Sequence, residues 1–162
     1  MASKAQYDFF KALYDEEIRV HAELESKAKL YLTIITFYLG AIGFKINDVV
    51  EFTDKFQIPI ILLVIIAVVL VLAFLFTIAA MSIRKYERVC DLEAIIRSFG
   101  ESPPKDSDFL DETLVNLAVA TNRNALQNNR VGTLLQWASV LIFIAVLMQL
   151  GILLLAAFKS RI

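Results

Sequence analysis

His21 and Cys90 are the single histidine and the single cysteine of this 162-residue chain, which narrows the chemistry that it can perform. One thiol forms no disulfide within the chain, and one histidine with one cysteine is too few for a zinc site of the usual kind. A nucleophile with its positioned base is equally hard to assemble. We therefore expect no enzyme activity, no metal and no cofactor, and we expect Cys90 to be a small buried apolar residue.

A few small or polar residues interrupt the apolar segments of the chain. Four of them recur at i, i+3, i+7 and i+10 in the first segment, and an amide lies deep in the third: Thr33, Thr36, Gly40, Gly43 and Gln149. Small faces let helices approach closely in lipid, and hydroxyls and amides bond across helices. The face that the four residues of the first segment form has two interpretations: it packs within the chain, or it lines a pore in an oligomer. The Gln149 amide joins subunits, faces a pore or bonds within the chain. Ala73, Thr77 and Ala80 form a similar but weaker face.

Three acidic residues follow the first apolar segment at i, i+3 and i+6, namely Asp48, Glu51 and Asp54. They indicate a solvated acidic turn. In an oligomer they would instead repeat as acidic rings at a pore mouth, which favours cations.

A second set of polar residues lies in segments that we expect outside the membrane. His21 stands among acidic residues on a predicted helix, where it packs, pairs with a carboxylate or senses pH. Asn124 and Asn128 fall at core-type positions, and a buried asparagine there fixes register and oligomeric state. We favour this structural role over ligand binding.

Hydrophobic residues make up 58% of the chain, against roughly 45–50% in soluble domains. The excess lies in three runs, 30–46, 58–83 and 131–158, which we interpret as membrane-spanning helices. The second run consists of 26 residues without a charge, which as a helix reach about 39 Å. The first run is the shortest, and its flanking lysines can extend toward the interface.

Lysine and arginine are unevenly distributed between the connecting segments. Twelve of the sixteen lie in 1–29 and 84–130. The other four lie at the opposite ends of the runs: Lys45 and Lys55 beside and within the connector 47–57, and Lys159 and Arg161 in the tail 159–162. The positive-inside rule then places the N-terminus in the cytoplasm and the C-terminus outside. A net charge of -1 gives no basic face for a nucleic-acid partner.

Both cytoplasmic segments have helical periodicity. Segment 1–29 predicts an amphipathic helix that continues into the first run. In segment 84–130, helical spacing continues to Phe99, Gly100 ends the helix, and a second helix follows Pro104. That helix has apolar and polar residues at steps of four and three, typical of coiled coils: Leu110, Leu114, Leu117, Thr121, Asn124 and Asn128. We therefore expect an all-α integral membrane three-helix bundle whose long helices extend into a cytoplasmic helical stalk.

Two short patterns resemble a known group of proteins. They are Glu16-Glu17-Ile18-Arg19 followed by Lys27-Ala28, and the stretch from Asn124 to Arg130 before the last run. They resemble the SLATT-like and Pycsar-type membrane effectors, small bacterial proteins of nucleotide-signalling anti-phage defence. The resemblance implies an oligomer that opens a pore or disrupts the inner membrane. It also implies a stalk role, holding the resting state or receiving the signal, for Glu17, Arg19, Lys27, Asn124 and Asn128.

These patterns support two functional hypotheses. The first is a homo-oligomeric effector of the bacterial inner membrane that permeabilises it when a soluble cytoplasmic partner engages the stalk. The second is a non-conducting membrane anchor or sensor subunit that docks a soluble partner through the same helices. Both place the chain among membrane lipid, and neither requires a cofactor.

Overall fold

The computed structural model describes residues 3–83 and 106–159, and side chains in the second range from residue 109 onward. These residues form four helices: α1 Lys4–Phe44, α2 Ile46–Lys55, α3 Ile60–Ser82 and α4 Asp106–Lys159. The described part of the chain is thus all-helical, as expected. The helices α1 and α4 hold 41 and 54 residues, so they reach about 60 Å and 80 Å. The first and the third apolar runs are therefore each part of one continuous helix with the polar segment that precedes them.

The start of α1 is set by a local exchange of hydrogen bonds. The Gln6 amide accepts from the backbone N–H of Ser3 at 2.9 Å, and Ser3 Oγ accepts from the N–H of Gln6 at 3.3 Å. This is a capping box, which satisfies two backbone donors that a helix start leaves without partners. No proline or glycine then occurs before Gly40, so nothing interrupts the helix.

Two of the helices are long and apolar enough to cross a membrane, namely α3 and α4. The pair α1 and α2 meets the same criteria together, with a bend of 72° at the junction, and counts as a third span if the bent pair crosses as one. The length and apolar character of these helices are consistent with a membrane protein.

The chain divides into two compact units, and α1 and α4 contribute to both. Unit 1 comprises Met1–Leu24 and Ile83–Val131. Its described part holds the first half of α1 and the first half of α4. The buried residues of α4 in this unit follow steps of three and four: Thr113, Leu117, Ala120, Asn124, Asn128 and Val131. They form one continuous inward face, and two of its six members are asparagines.

Unit 2 comprises Glu25–Ser82 and Gly132–Ile162. Its core joins Ile66 and Leu70 of α3 with Ala145 and Ile152 of α4, and Tyr38, Leu39 and Ile42 of α1 pack against them. The buried face of α3 continues through small residues, Ala73, Thr77 and Ala80. Thr77 Oγ1 donates to the carbonyl of Ala73 at 2.8 Å, so its buried hydroxyl is satisfied. Small side chains at this face let helices pack closely where burial from water supplies little force.

The helix α2 occupies the segment that the sequence indicated as an acidic connector. Thr53 is buried, and Phe52 and Phe56 pack on the apolar core of unit 2. Asp48, Glu51 and Asp54 are exposed. Apolar residues on one side and acidic ones on the other make α2 amphipathic, and packing of the two phenylalanines stabilises a helix where charge content suggested a turn.

Several sequence predictions lie outside the described residues. These are the burial of Cys90 and the helix through Phe99 with its stop at Gly100.

Candidate functional site

A polar cluster in unit 1 joins α1 to α4. Asn128 Nδ2 donates to the Glu17 carboxylate at 2.8 Å and to the Glu17 backbone carbonyl at 2.9 Å. Asn128 Oδ1 lies 3.3 Å from Nδ1 of His21. Only 4% of Asn128 is exposed, whereas Glu17 and His21 are half-buried. The cluster therefore brings together three of the six stalk residues singled out from the sequence.

The chemistry of the amide sets the proton positions in this cluster. An amide oxygen only accepts, so Nδ1 of His21 carries the proton and donates to Asn128. The amide nitrogen meanwhile supplies both donors to Glu17. Glu17 and His21 are four residues apart, which places them on one face of α1, one turn from each other. A single buried side chain is thereby bonded to two successive turns of another helix, a geometry that fixes how the two helices align.

The other polar residues on or next to the inward face of α4 differ in whether their polar atoms have hydrogen-bond partners. Asn124 is fully buried and has interaction partners. Thr113 Oγ1 donates to the carbonyl of Phe109 at 2.7 Å. The Thr121 hydroxyl is buried and has no hydrogen-bond partner among the described residues. An unmet buried hydroxyl costs stability, so Thr121 is a weak point of this face.

Arg19 and Lys27 are exposed on α1 and stand apart from the cluster. Arg19 Nη2 donates to Glu16 at 2.6 Å. This hydrogen bond, and secondly the Glu16 charge, raise the pKa of Arg19 above its ordinary value. The arginine therefore stays charged throughout the physiological range, and its pair is a solvated surface bridge of small energetic weight.

The small face of the first apolar run is uncovered in unit 2. Thr33, Thr36 and Gly43 are exposed and Gly40 is half-buried. A Cβ added at Gly40 or at Gly43 would meet no atom within 4 Å. The Thr33 hydroxyl donates to the carbonyl of Lys29 at 2.9 Å, on its own helix. Of the two small faces, the one on α3 packs inside unit 2 and the one on α1 does not.

Gln149 lies beside an open groove of about 440 Å³ in unit 2. The other walls come from α1, from α2 and from Lys45 between them, and they are mostly apolar: Phe37, Tyr38, Ala41, Ile42, Lys45 and Val49. Gln149 is exposed, and within residues 3–83 and 106–159 its amide makes no hydrogen bond. The intrachain bond, one of the three alternatives for this residue, is therefore absent from the described part of the chain.

The acidic residues of α2 lie together on its exposed side. Asp48 pairs with Lys45 at 2.8 Å across the junction with α1, which neutralises one of the three charges. Glu51 and Asp54 follow one and two turns later. Nowhere in the described ranges do three or more metal-ligating side chains gather as a metal site.

Lys159 is a structural residue that sequence reasoning missed. Its Nζ donates to the carbonyls of Phe56 at 2.9 Å and Gln57 at 3.2 Å, just past the last turn of α2. The N–H of Gln57 bonds to the carbonyl of Asp54, and that of Ile58 to Thr53. These two bonds form a Schellman motif, with Gln57 at φ 50° in the left-handed position. Lys159 is one of the four basic residues on the side poor in lysine and arginine, and here it caps a helix end.

Comparisons with protein-family models, with curated proteins and with solved structures find no match for this chain.

Proposed function

We propose that this chain is a homo-oligomeric effector of the bacterial inner membrane that permeabilises or depolarises it when its cytoplasmic stalk is triggered. In this proposal α1, α3 and α4 cross the bilayer as a three-helix bundle, with the N-terminus in the cytoplasm and the C-terminus outside. Unit 1 is the stalk. The likeness to SLATT-like and Pycsar-type effectors, which are anti-phage proteins, motivates the same assignment.

The observation that carries the proposal is the uncovered polar surface of unit 2. The Gln149 amide has no hydrogen-bond partner in the described chain, Thr36 is exposed, and a Cβ added at Gly40 would meet no atom within 4 Å. An amide in hydrocarbon is costly unless it is bonded, so these groups favour a partner within the membrane. Three spans of one chain enclose no channel, and conduction therefore requires several copies.

The polar cluster of unit 1 supplies a resting state in this account. Asn128 holds α1 and α4 in one alignment through bonds to Glu17 and His21. A soluble partner that binds the stalk would compete with these bonds and shift the population toward another alignment. Because α1 and α4 are continuous helices, a change in their alignment in unit 1 also acts on the same helices in unit 2.

The same cluster favours the alternative function, a non-conducting anchor or sensor subunit. A polar cluster whose hydrogen bonds are all made can hold the helices of a rigid docking platform as well as those of a switch. The two functions differ in the expected result of breaking the hydrogen bonds of this cluster. An effector is released toward its conducting state, whereas an anchor only loses stability.

The test measures membrane potential in bacteria that express the full chain, with a potential-sensitive dye. We expect the wild-type chain to leave the potential intact without its trigger. We expect Asn128→Ala to depolarise the cells, and the added change Gln149→Leu to restore the potential. Asn122→Ala, at an exposed asparagine of the same helix, is the matched control and should be silent. An intact potential with Asn128→Ala, at equal amounts in the membrane, would support the anchor.

A further inference from the structure

We infer that the cytoplasmic surface of the membrane meets unit 2 at Lys29 of α1 and Trp137 of α4, where both side chains bind lipid headgroups. Residues 131–136, which the sequence assigned to the third span, then lie outside the hydrocarbon. This inference rests on the membrane-spanning part of the proposed function and specifies where two of the helices enter the bilayer.

The helices α1 and α4 run side by side in the same direction through unit 2. The unit begins at Glu25 in α1 and at Gly132 in α4. Ala41, sixteen residues after Glu25, and Gln149, seventeen residues after Gly132, line the same groove. Each residue advances an α-helix by about 1.5 Å, so residues at equal distances from these two pairs lie at the same level.

Lys29 and Trp137 are level by this count, and the exposed residues of α4 change character there. Between residues 131 and 136 the exposed side chains are Thr133 and Gln136, whereas the apolar ones are buried or half-buried. From residue 140 to residue 158 every exposed side chain except Gln149 is apolar. The first pattern is typical of a helix in water and the second of a helix in lipid.

The exposed residues of α1 change at the matching level. Lys29 pairs with Glu25 at 2.8 Å, and both side chains are largely exposed. An exposed ion pair is costly in hydrocarbon, so it lies at the surface of the membrane or outside it. From Leu30 to Phe44 no residue is charged. Two neighbouring helices thus place the boundary at one level.

The length of α4 agrees with this boundary. The 22 residues 137–158 reach about 33 Å, which matches a hydrocarbon core of roughly 30 Å with a slight tilt. The 28 residues 131–158 would reach about 42 Å, which exceeds that core by about 12 Å. Starting the span at Trp137 removes most of this excess.

The two side chains have the chemistry that the headgroup layer selects. Trp137 is 57% exposed and combines an apolar ring with one N–H donor, a type enriched at membrane interfaces. The apolar stem of Lys29 can follow the lipid tails while its ammonium group reaches the phosphates. Lipid phosphates and ester carbonyls accept from both donors at the level where the tails begin. The occupant of this surface is therefore the headgroup layer of the cytoplasmic leaflet.

Fluorescence of the full chain in vesicles tests the depth of Trp137, which is the single tryptophan of the chain. The phosphatidylcholine of the vesicles carries bromine, a quencher, either near the ester groups or near the chain ends. We expect bromine near the ester groups to quench Trp137 about twofold more strongly than bromine near the chain ends. A span that began at residue 131 would place Trp137 about 9 Å inside the core, and the deeper bromine would quench it more.

Two variants calibrate the measurement in a Trp137→Phe background. Phe143→Trp moves the reporter to an exposed position six residues further along α4, and the deeper bromine should quench it more. Leu126→Trp, exposed in unit 1, should be quenched by neither. Trp137 quenched like Phe143→Trp, or not quenched while Phe143→Trp is, overturns the inference and retains the crossing. If Phe143→Trp is not quenched either, the crossing of α4 and the proposed function fail as well.

Thiol labelling locates the boundary independently. Gln136 and Val140 lie one turn apart on α4, and both are exposed. In a Cys90→Ser background, inside-out membrane vesicles are treated with a membrane-impermeant thiol reagent. We expect Gln136→Cys to react about tenfold faster than Val140→Cys, because only the first lies outside the hydrocarbon. Equal rates at the two positions would contradict a boundary at Trp137.

Discussion

Asn128 and Glu17 are joined twice, through the carboxylate at 2.8 Å and the backbone carbonyl at 2.9 Å, although 111 residues separate them in the chain. The amide is almost fully buried, so a lost partner is not replaced by bulk water. Sliding α1 along α4 by one turn would separate both bonds at once. This pair therefore determines the alignment of the two helices in unit 1 more strictly than apolar contacts, which tolerate such shifts.

Replacing the Asn128 amide by a carboxylate tests this alignment directly. Asn128→Asp removes two donated hydrogen bonds and places a negative charge against the Glu17 carboxylate. We expect a loss of about 3 kcal/mol in the free energy of unfolding, measured by circular dichroism in detergent. Asn122→Asp, on the exposed side of α4, should change it by less than about 0.5 kcal/mol. Adding Glu17→Gln to Asn128→Asp should recover part of the loss, and a double variant no better than the single one would refute the pairing.

Thr121 offers a stabilising substitution on the same face. Its buried hydroxyl has no partner in the described chain, so Thr121→Val removes an unmet polar atom at nearly constant volume. We expect a gain of about 1 kcal/mol in the same unfolding measurement. The matched change Thr113→Val deletes a hydroxyl that donates to the Phe109 carbonyl, and it should bring no gain. Equal changes in the free energy of unfolding at the two sites would contradict the claim that one hydroxyl is bonded and the other is not.

Lys159 should hold the end of α2 in place. Lys159→Met keeps the length of the side chain and removes both hydrogen bonds to the carbonyls of Phe56 and Gln57. We expect about 1 kcal/mol less protection of α2, seen as roughly fivefold faster amide exchange over Ile46–Lys55. Lys55→Met is the control: Lys55 lies in the last turn of α2 and donates to neither of these carbonyls. A larger effect from Lys55→Met would contradict the cap.

Gln57 adopts a backbone conformation that suits glycine. At φ 50° it occupies the left-handed position of the Schellman motif, where a side chain is strained. We expect Gln57→Gly to stabilise the turn by about 0.5–1 kcal/mol and to slow amide exchange in α2. Gln57→Val, branched at Cβ, should do the opposite. If the glycine and valine variants exchange alike, the turn geometry is wrong.

The long helices and the polar core positions could be predicted from the sequence because their signals are local. Uninterrupted periodicity predicted α1 and α4 as single helices, and the steps of three and four placed Asn124 and Asn128 on the inward face. The pairing of Asn128 with Glu17 and His21 could not be derived this way. It depends on which turns of two distant helices meet, and no local pattern encodes that distance.

The helix α2 was missed for a different reason. Its three acidic residues dominate a short segment and obscure the pattern of the apolar residues between them. Phe52 and Phe56 stand one turn apart, which was the available signal for an amphipathic helix. The role of Lys159 had no such signal, since its partners lie 102 and 103 residues away. Packing in unit 2 creates that cap.

The number of times the chain crosses the bilayer tests the account most directly, because a bent α1–α2 pair can cross or return. In the Cys90→Ser background, Ser3→Cys, Glu51→Cys and Phe158→Cys are labelled in intact cells with a membrane-impermeant thiol reagent. Three crossings predict that Glu51→Cys and Phe158→Cys react from outside and that Ser3→Cys reacts only after the inner membrane is opened. If Glu51→Cys and Phe158→Cys are protected together with Ser3→Cys, the pair returns, the chain crosses twice, and the proposed bundle is wrong.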